Sequence, residues 1–583
     1  MKVNFIDQQK DFYRPWVKFY GKDTPPNLEY SDKTMFGVFY DTATQYSDYN
    51  AIDYMEKKIT YGELLEEVKR CAASLAKLGI KKGDRITLCL PNIPQAVISF
   101  YATLALGAVA NMIHPLSASN EIEYFINVSK SKMLFILDAF YEKTKDLNCE
   151  TLQKVVTASA ADYLSAVKKV GFALTQGRKI PKVGASEKTM TWVGLMKLSE
   201  GVETPKIDEH PDNKYSDTAV ILYSGGTTGT QKGIMLSHLN FNALAAQTVA
   251  HGGPSFKPGD SMLAVLPMFH GFGLGVCIHT SVYKGATMIL VPRFNADSFA
   301  ELIVKKKPTF MAGVPTLYEA LLRKDRLAKA DFSETKGIFS GGDKLPHDLK
   351  VRFDEFLKEK NAKVTLREGY GLTECVTASA LNPEGAAYRK GSIGIPYPDT
   401  LYKIVEPGTT NDVPYGTDGE ICIHGPSVMQ GYLDDPEETA TVLKKHPDGR
   451  IWLHTGDLGY IDEDGFVYFK LRIKRMIKTS GYSVYPTQIE EILNAHEAVS
   501  MSCVIGVPDD LKIQTIKAFI VLKEGYAPSE EMEKEIMRYC EENIAKYQIP
   551  RIIEFRDDLP TTKVGKIAYR VLEEEHLNLA ASS

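Results

Sequence analysis

Residues 223–233 read YSGGTTGTQKG, a run of glycines and small hydroxyls that ends in a lysine. Five hydrophobic residues, AVILY at 219–223, run straight into it, as a β-strand feeding a loop would. Gly225, Gly226 and Gly229 let backbone N–H groups converge on an anion. Ser224, Thr227, Thr228 and Thr230 add hydroxyl donors, and Lys232 adds a point charge. A flexible surface turn is the alternative, and the hydrophobic strand leading in favours phosphate. The Walker A pattern demands G-x-x-x-x-G-K-[ST]. Here Gln231 precedes the lysine and Gly233 follows it, which argues against a P-loop ATPase or GTPase.

Three further stretches carry candidate chemistry. IFSGGDKLP (338–346) ends a strand with Gly341 and Gly342, where backbone can approach a flat ring. REGYGLTEC (367–375) places Tyr370, Thr373 and Glu374 within five residues. An aromatic face, a hydroxyl and a carboxylate suit a nucleotide base, a phosphate oxygen and Mg²⁺. WLHTGDLGYIDEDGF (452–466) puts Asp457 in a tight turn, where a carboxylate suits a ribose diol. Taken singly each is weak, because a Gly-Asp pair is usually only a turn. Their order and spacing together are the stronger signal.

Such residues need strands to position them. ITYGELLEEVKRCAASLAKLGI (59–80) opens with a helix N-cap, Thr60, and repeats Leu64, Leu65, Val68, Ala72, Leu75 and Leu78 at helical spacing. RITLCL, KMLFIL, SMLAVL, ATMILV, TFMAGV and GIFSGG follow as short hydrophobic strands. That alternation predicts an α/β fold of parallel sheets flanked by helices, with sites beyond the carboxyl ends of the strands. Residues 391–470 read as an all-β module of short strands. After 475 an α+β pattern returns over about a hundred residues, enough to fold alone. The expected organisation is a large domain over 1–473 and a small C-terminal domain over 474–583. The stretch 150–205 fits neither pattern and reads as a surface insertion. Its basic, apolar segment ADYLSAVKKVGFALTQGRKIPKV also suits an interfacial contact with membrane or with an apolar substrate donor.

Composition excludes several classes. The 583 residues carry a net charge of −5, which disfavours a nucleic-acid partner. Eight scattered cysteines form no CxxC pair, so neither zinc nor a disulfide framework is expected, and the thiols fit a cytosolic protein. The first residues lack the apolar stretch of a secretory signal. No charged residue occurs between Arg85 and Glu121, but Pro91, Pro94, Asn111 and Pro115 break up this run. It reads as a buried helix from Gln95 to about Leu106 and then a buried parallel strand, not as a membrane span.

Taken in order, these motifs resemble the adenylate-forming superfamily of acyl-CoA synthetases, luciferases and nonribosomal-peptide adenylation domains. LPMFHGFG (266–273), GYGLTE (369–374), WLHTGD (452–457), LRIKRMIKTSGYSVYPTQIE (471–490) and LPTTKVGKIAYR (559–570) are similar to that superfamily's core motifs, over about residues 30–573. The resemblance implies two half-reactions. A carboxylate attacks the α-phosphate of ATP to give acyl-adenylate and pyrophosphate. A thiol, often of coenzyme A, then displaces AMP. It implies Gly341, Gly342 and Tyr370 at adenine, with Glu368, Gly369 and Gly371 alongside, and Asp457 and Arg472 at ribose. It implies Thr373 at the α-phosphate, Glu374 on Mg²⁺ with Ser224, and Lys232 on the departing phosphates. Lys566 is the expected mobile catalytic lysine and Lys474 the hinge. Gly481 and His270 would line the thiol and acyl channel, and Lys478 would serve the second half-reaction.

Some positions depart from the superfamily pattern. Gln231 stands where Pro is usual, Val564 where Ser or Thr is usual, and Ile513-Gln514 where Gly-Glu is usual. Phe269 is followed by His270, not by the Asp that grips an amino acid, and no carrier-protein segment follows Lys566. A ligase using free CoA is therefore expected. The glycine-rich stretch 271–285, without a charged residue before Lys284, is expected to leave room for a medium- or long-chain fatty acid. Aryl acids, transfer to a carrier protein and a non-catalytic binding protein are the alternatives. The expected partners are the acid, ATP and CoA, in a cytoplasmic protein with a peripheral membrane contact.

Overall fold

The first long helix shows how local sequence sets the fold. The Thr60 side chain accepts from Glu63 N–H and the Glu63 carboxylate accepts from Thr60 N–H, closing a capping box. The helix Tyr61–Lys77 then buries Leu64, Leu65, Val68, Ala72 and Leu75 along one face. A computed structural model describes the protein except for residues 1, 6–10, 182, 185, 201–212, 225–230, 254, 293–295, 384–387, 480–481, 510–512, 562–566 and 583.

Two large sheets carry the candidate site. The first runs in the order Gly431–Tyr432, Lys232–Ser237, Thr218–Ser224, Val109–Met112, Arg85–Cys89, Met133–Leu137, Lys154–Ala158, Thr189–Thr191. Its six strands from Thr218–Ser224 to Thr189–Thr191 are parallel, and Lys232–Ser237 is antiparallel to both its neighbours. The second sheet has nine strands, of which Leu366–Tyr370, Gly337–Ser340, Phe310–Gly313, Ser261–Ala264, Thr287–Leu290 and Asn50–Tyr54 are parallel neighbours in that order. Between Arg85–Cys89 and Val109–Met112 the chain crosses over through the helix Pro94–Ala105, every residue of which is buried. This accounts for the uncharged run, since a helix packed on all sides is apolar all round. Among the described residues no helix is long and apolar enough to cross a membrane.

A five-stranded sheet includes Leu401–Val405, Gly419–His424, Ile451–Ile461, Leu443–Lys445 and Val467–Arg472, the last two antiparallel to Ile451–Ile461. The last sheet pairs Val499–Asp509 with Ile513–Leu522, and successive residues of the strand Val499–Asp509 alternate between two cores. Val504 packs with Ile489 and Leu493, whereas Cys503, Ile505 and Val507 pack with Leu559 and Leu572. By contact density the chain forms two units. One comprises Met1–Tyr402, Ile423–Leu453 and Asp464–Phe466, and the other Lys403–Cys422, His454–Glu463 and Val467–Ser583.

The structure corrects two expectations. The stretch 391–470 is not a self-contained β module, because Ile395–Pro396 pairs with Ala380–Leu381 in the second sheet and Gly431–Tyr432 pairs with Lys232–Ser237 in the first. The stretch 150–205 is not one surface insertion either. Lys154–Ala158 and Thr189–Thr191 are strands of the first sheet, and Trp192 and Leu195 of the helix Trp192–Lys197 are buried. What lies outside the core is the helix Ala166–Leu174, none of whose residues is buried.

Asn92 ties the two large sheets together. It follows the carboxyl end of the strand Arg85–Cys89 and donates to Ala264 O and Leu266 O, both at 2.9 Å, just beyond the strand Ser261–Ala264. Its Oδ1 accepts from Met268 N–H at 2.9 Å. Asn92 is buried, so an alanine there strands three polar partners away from water. Asn92→Ala is expected to lower stability by about 2–4 kcal/mol, read as an earlier first transition in urea unfolding.

Candidate active site

The strand Thr218–Ser224 and the strand Lys232–Ser237 are antiparallel neighbours, with Ser224 opposite Lys232 and Tyr223 opposite Gly233. The glycine-threonine loop therefore joins strand to strand. A Walker loop runs into a helix N-terminus, whose dipole helps to hold the anion. Here a second strand takes the helix's place, which accords with the mismatch to the Walker pattern in the sequence. The flanks are anchored. Tyr223 Oη donates to Asn111 Oδ1 at 2.8 Å, Tyr124 Oη donates to Gln231 O at 2.8 Å, and Leu433 N–H donates to Gly233 O at 2.7 Å. Gly225, Gly226, Thr227, Thr228, Gly229 and the Ser224 side chain lie outside the described residues.

Lys232 pairs with Glu438 and stands 5.4 Å from the centre of the Tyr432 ring. Tyr432 Oη in turn donates to Glu374 Oε1 at 3.1 Å. One aromatic side chain thus joins the phosphate-loop lysine to the carboxylate suited to Mg²⁺. Neither Tyr432 nor Glu438 announced itself in the sequence, because a Gly-Tyr pair and a glutamate on a short helix carry no spacing signal.

Three parallel strands, Phe310–Gly313, Gly337–Ser340 and Leu366–Tyr370, present the next group at their carboxyl ends. Gly341 N–H donates to Gly313 O at 3.1 Å, and Gly342 has φ +83°, a conformation that favours glycine. A methyl group on Gly341 would stand 3.2 Å from the Phe272 ring and 3.4 Å from Gly369 O. Tyr370 and Gly369 pair antiparallel with Ala380 and Leu381, and Thr373–Cys375 forms one turn of 3₁₀ helix. Glu368 is buried, and its Oε1 accepts from Leu345 N–H at 3.0 Å.

The motif around His270 is held by backbone contacts. His270 N–H donates to Pro267 O at 3.1 Å, and the Phe269 ring lies 4.4 Å from that of His114. The following segment, Phe272–His279, is a π-helix, a form common at functional sites. Its glycines do not leave the room expected of them. A methyl group on Gly271 would stand 1.6 Å from Val376 O, on Gly273 2.1 Å from Pro267 O, and on Gly275 2.6 Å from a Leu244 methyl. They admit neighbouring backbone and side chain, not an acyl chain. A nearby void bounded by Phe256, Phe310 and Phe339 measures about 10 Å³, room for at most one water.

In the second unit Asp457 and Arg472 are register partners on adjacent strands, with Arg472 Nε 2.9 Å from Asp457 Oδ1. The Asp457 side chain is 1% exposed and that of Arg472 47%. Gly456 has φ +69° and its N–H donates to Glu420 Oε1 at 3.0 Å, which shapes the turn. Lys478 is exposed on the strand Ile477–Thr479, and its N–H donates to Gln514 Oε1 at 2.9 Å. Lys474 falls in the short turn Ile473–Arg475. Its side chain, Gly481 and Lys566 lie outside the described residues.

A glycine-threonine loop between two strands, glycines at parallel strand ends and a carboxylate held by Tyr432 fit the expectation of a nucleotide-dependent α/β enzyme. The sequence profile of AMP-binding enzymes matches residues 39–433, and that of the AMP-binding enzyme C-terminal domain matches 488–566. A long-chain-fatty-acid–CoA ligase of Bacillus subtilis strain 168 is 37% identical over 97% of this chain and 99% of its own. A 4-coumarate–CoA ligase-like protein of Oryza sativa subsp. japonica is 30% identical over 89% of this chain and 88% of its own. The crystal structure of an anthranilate CoA ligase in complex with anthranoyl-AMP superposes with a TM-score of 0.80 at 25% identity, over 95% of this chain and 98% of that one. The chain belongs to the AMP-binding enzyme family. It is an AMP-forming acid–thiol ligase, whose reaction uses ATP, Mg²⁺ and coenzyme A. The residues present fit these groups, since Glu374 offers the hard oxygen that Mg²⁺ prefers and Gly341 and Gly342 bring bare backbone to the end of a parallel strand.

Burial pushes the Glu368 carboxyl up to about 7 from its ordinary 4.5. Asp343 adds to the shift, and the Leu345 N–H, Lys344 and Lys350 oppose it. The folded chain therefore holds a proton that the unfolded chain releases, so Glu368 makes stability fall as pH rises from 4.5 through 7. Glu368→Gln removes that loss. Its Tm relative to the native protein is expected to be higher at pH 8 than at pH 5, by about 2 °C or more in thermal unfolding.

Proposed function

We propose that this chain joins a medium- or long-chain fatty acid to coenzyme A. The acid's carboxylate oxygen attacks the α-phosphorus of ATP, and the bond to the departing pyrophosphate breaks. The CoA sulfur then attacks the acyl carbon, the bond to AMP breaks, and the thiol proton passes to solvent. The observation that carries the reading is the link from Lys232 through Tyr432 to Glu374, which puts a cation and a metal-binding carboxylate on one side chain.

In this reading Gly341, Gly342 and Tyr370 hold adenine, with Glu368, Gly369 and Gly371 supporting their strand ends. Asp457 and Arg472 grip ribose. Thr373 contacts the α-phosphate, Glu374 with Ser224 holds Mg²⁺, and Lys232 with residues 224–229 holds the phosphates that leave. Positioning and fixed charge of this kind suit a phosphoryl transition state whose charge is dispersed. Lys566 neutralises charge between carboxylate and α-phosphate. A small domain over 474–583 turns about Lys474 between the half-reactions. Gly481, Lys478 and His270 then serve the thiol. The acid assignment is supported by the lack of an acidic residue after Phe269 and by the long-chain-fatty-acid–CoA ligase relative. An aryl acid is the second reading, favoured by the 4-coumarate ligase-like relative.

The test is pyrophosphate release and thioester formation with ATP, Mg²⁺, CoA and acids from acetate to palmitate, with aryl acids alongside. The rate is expected to peak at medium or long chains. Turnover of aryl acids alone would make the acid assignment wrong, and adenylate without thioester would point to a carrier-protein acceptor. Lys566→Ala is expected to abolish adenylate formation while supplied acyl-adenylate still yields thioester. Equal loss of both steps would remove the role given to Lys566.

The protein is further read as cytoplasmic, touching the membrane through the helix Ala166–Leu174. Val167, Val170 and Leu174 share one face and are 83%, 61% and 57% exposed, beside Lys169, Arg178 and Lys179. Large apolar groups among cations suit an anionic lipid surface. Changing Val167, Val170 and Leu174 together to serine is expected to reduce retention on anionic phospholipid vesicles several-fold. Unchanged retention would leave the helix without this role.

A further inference from the structure

Val376, one residue beyond the Thr373–Cys375 turn, has φ +63° and ψ −54°. Thr377 N–H donates to Cys375 O at 2.8 Å across it. This is a γ-turn of the rare, strained hand, with a β-branched residue at its centre. Glycine adopts that φ without strain, so a valine persists there only where its surroundings over-determine it. They do so from two sides. The Val376 carbonyl oxygen occupies the space where a methyl on Gly271 would sit, 1.6 Å away. The Thr377 carbonyl oxygen occupies the corresponding space at Gly371, 1.7 Å away. The Val376 side chain is fully buried, with Cγ1 3.1 Å from where a Gly275 methyl would lie.

The turn is wired directly to the chemistry-bearing residues. Val376 N–H donates to Thr373 O at 3.1 Å, and Cys375 N–H donates to Leu372 O at 3.0 Å. Met429 N–H fixes Glu374 O at 2.8 Å, and Tyr432 holds the carboxylate. We infer that Val376 is a positioning residue for adenylation. Its stiff, branched side chain, wedged against the π-helix Phe272–His279, locks a strained turn that sets Thr373 and Glu374 against ATP and its metal ion. A β-branched side chain, restricted at χ1, holds a turn more narrowly than glycine would. The same wedge ties the acid-site motif to the nucleotide motif, since both Gly271 and Gly275 press on Val376. The inference rests on the roles proposed above for Thr373 and Glu374.

The two half-reactions separate positioning from folding. ATP–pyrophosphate exchange with palmitate reads the first, and thioester formation from supplied palmitoyl-adenylate and CoA reads the second. Val376→Gly is expected to slow exchange by roughly tenfold or more, as small misplacements of reacting groups do. It is also expected to weaken binding of Mg²⁺-ATP in calorimetry by a similar factor, and to leave thioester formation within about twofold of native. Val376→Thr, which keeps the branched shape, is expected to restore exchange. If Val376→Gly does not fold, Val376→Ala carries the same comparison with the same expected direction. Loss of both half-reactions in proportion to the unfolded fraction would overturn the inference, as would native exchange and native Mg²⁺-ATP binding in the glycine variant. Glu374→Gln serves as the reference. If it leaves exchange intact, the role of Glu374 falls and this inference with it. If it abolishes exchange while Val376→Gly is silent, only the inference on Val376 falls.

Discussion

Much of the site depends on backbone packed directly against backbone. The carbonyl oxygens of Val376 and Thr377 fill the positions that side chains on Gly271 and Gly371 would need, and Pro267 O does the same at Gly273. No other residue type permits approach at that distance. At Gly271 and Val376 this brings together two motifs about a hundred residues apart, three residues beyond Thr373 and two beyond Glu374. Hydrogen bonds then finish the arrangement, with Tyr432 spanning from Glu374 to Lys232 and Asn92 joining the ends of the two parallel sheets.

The alternation of helices and strands was legible because each long element carries its own period and its own start signal. The N-cap Thr60 is visible as a residue before it is visible as a hydrogen bond. The uncharged run after Arg85 could be assigned to a buried helix because its prolines and Asn111 fit a crossover and contradict a span. Elements of two residues, such as Ile395–Pro396 and Gly431–Tyr432, are too short to carry a period. Their membership of the large sheets follows only from what lies beside them. The strand Thr189–Thr191 escaped for the same reason, and the region around it was read as an insertion.

The glycines show the sharper limit. A sequence reports that a side chain is absent, not what fills the space. Gly271, Gly273 and Gly275 read equally well as room for a substrate or as close packing, and the structure selects packing. Asn92 was likewise invisible, since three hydrogen bonds to residues 264–268 leave no trace in local spacing. Asp457 and Arg472 stood out as motif residues, and their placement opposite one another follows from the pairing of Ile451–Ile461 with Val467–Arg472.

The strand-to-strand setting of the phosphate loop also limits how it can vary over evolutionary time. Ser224 and Lys232 face each other across a defined register, so the length of the connection is set by the ladder on either side. A residue gained or lost there, if taken up by the second strand, would turn Lys232 to the opposite face of the sheet, away from Tyr432 and Glu438. A substitution at Gln231, which stands where proline is usual, leaves that register unchanged. The register of the two strands thus constrains changes in length that reach the second strand.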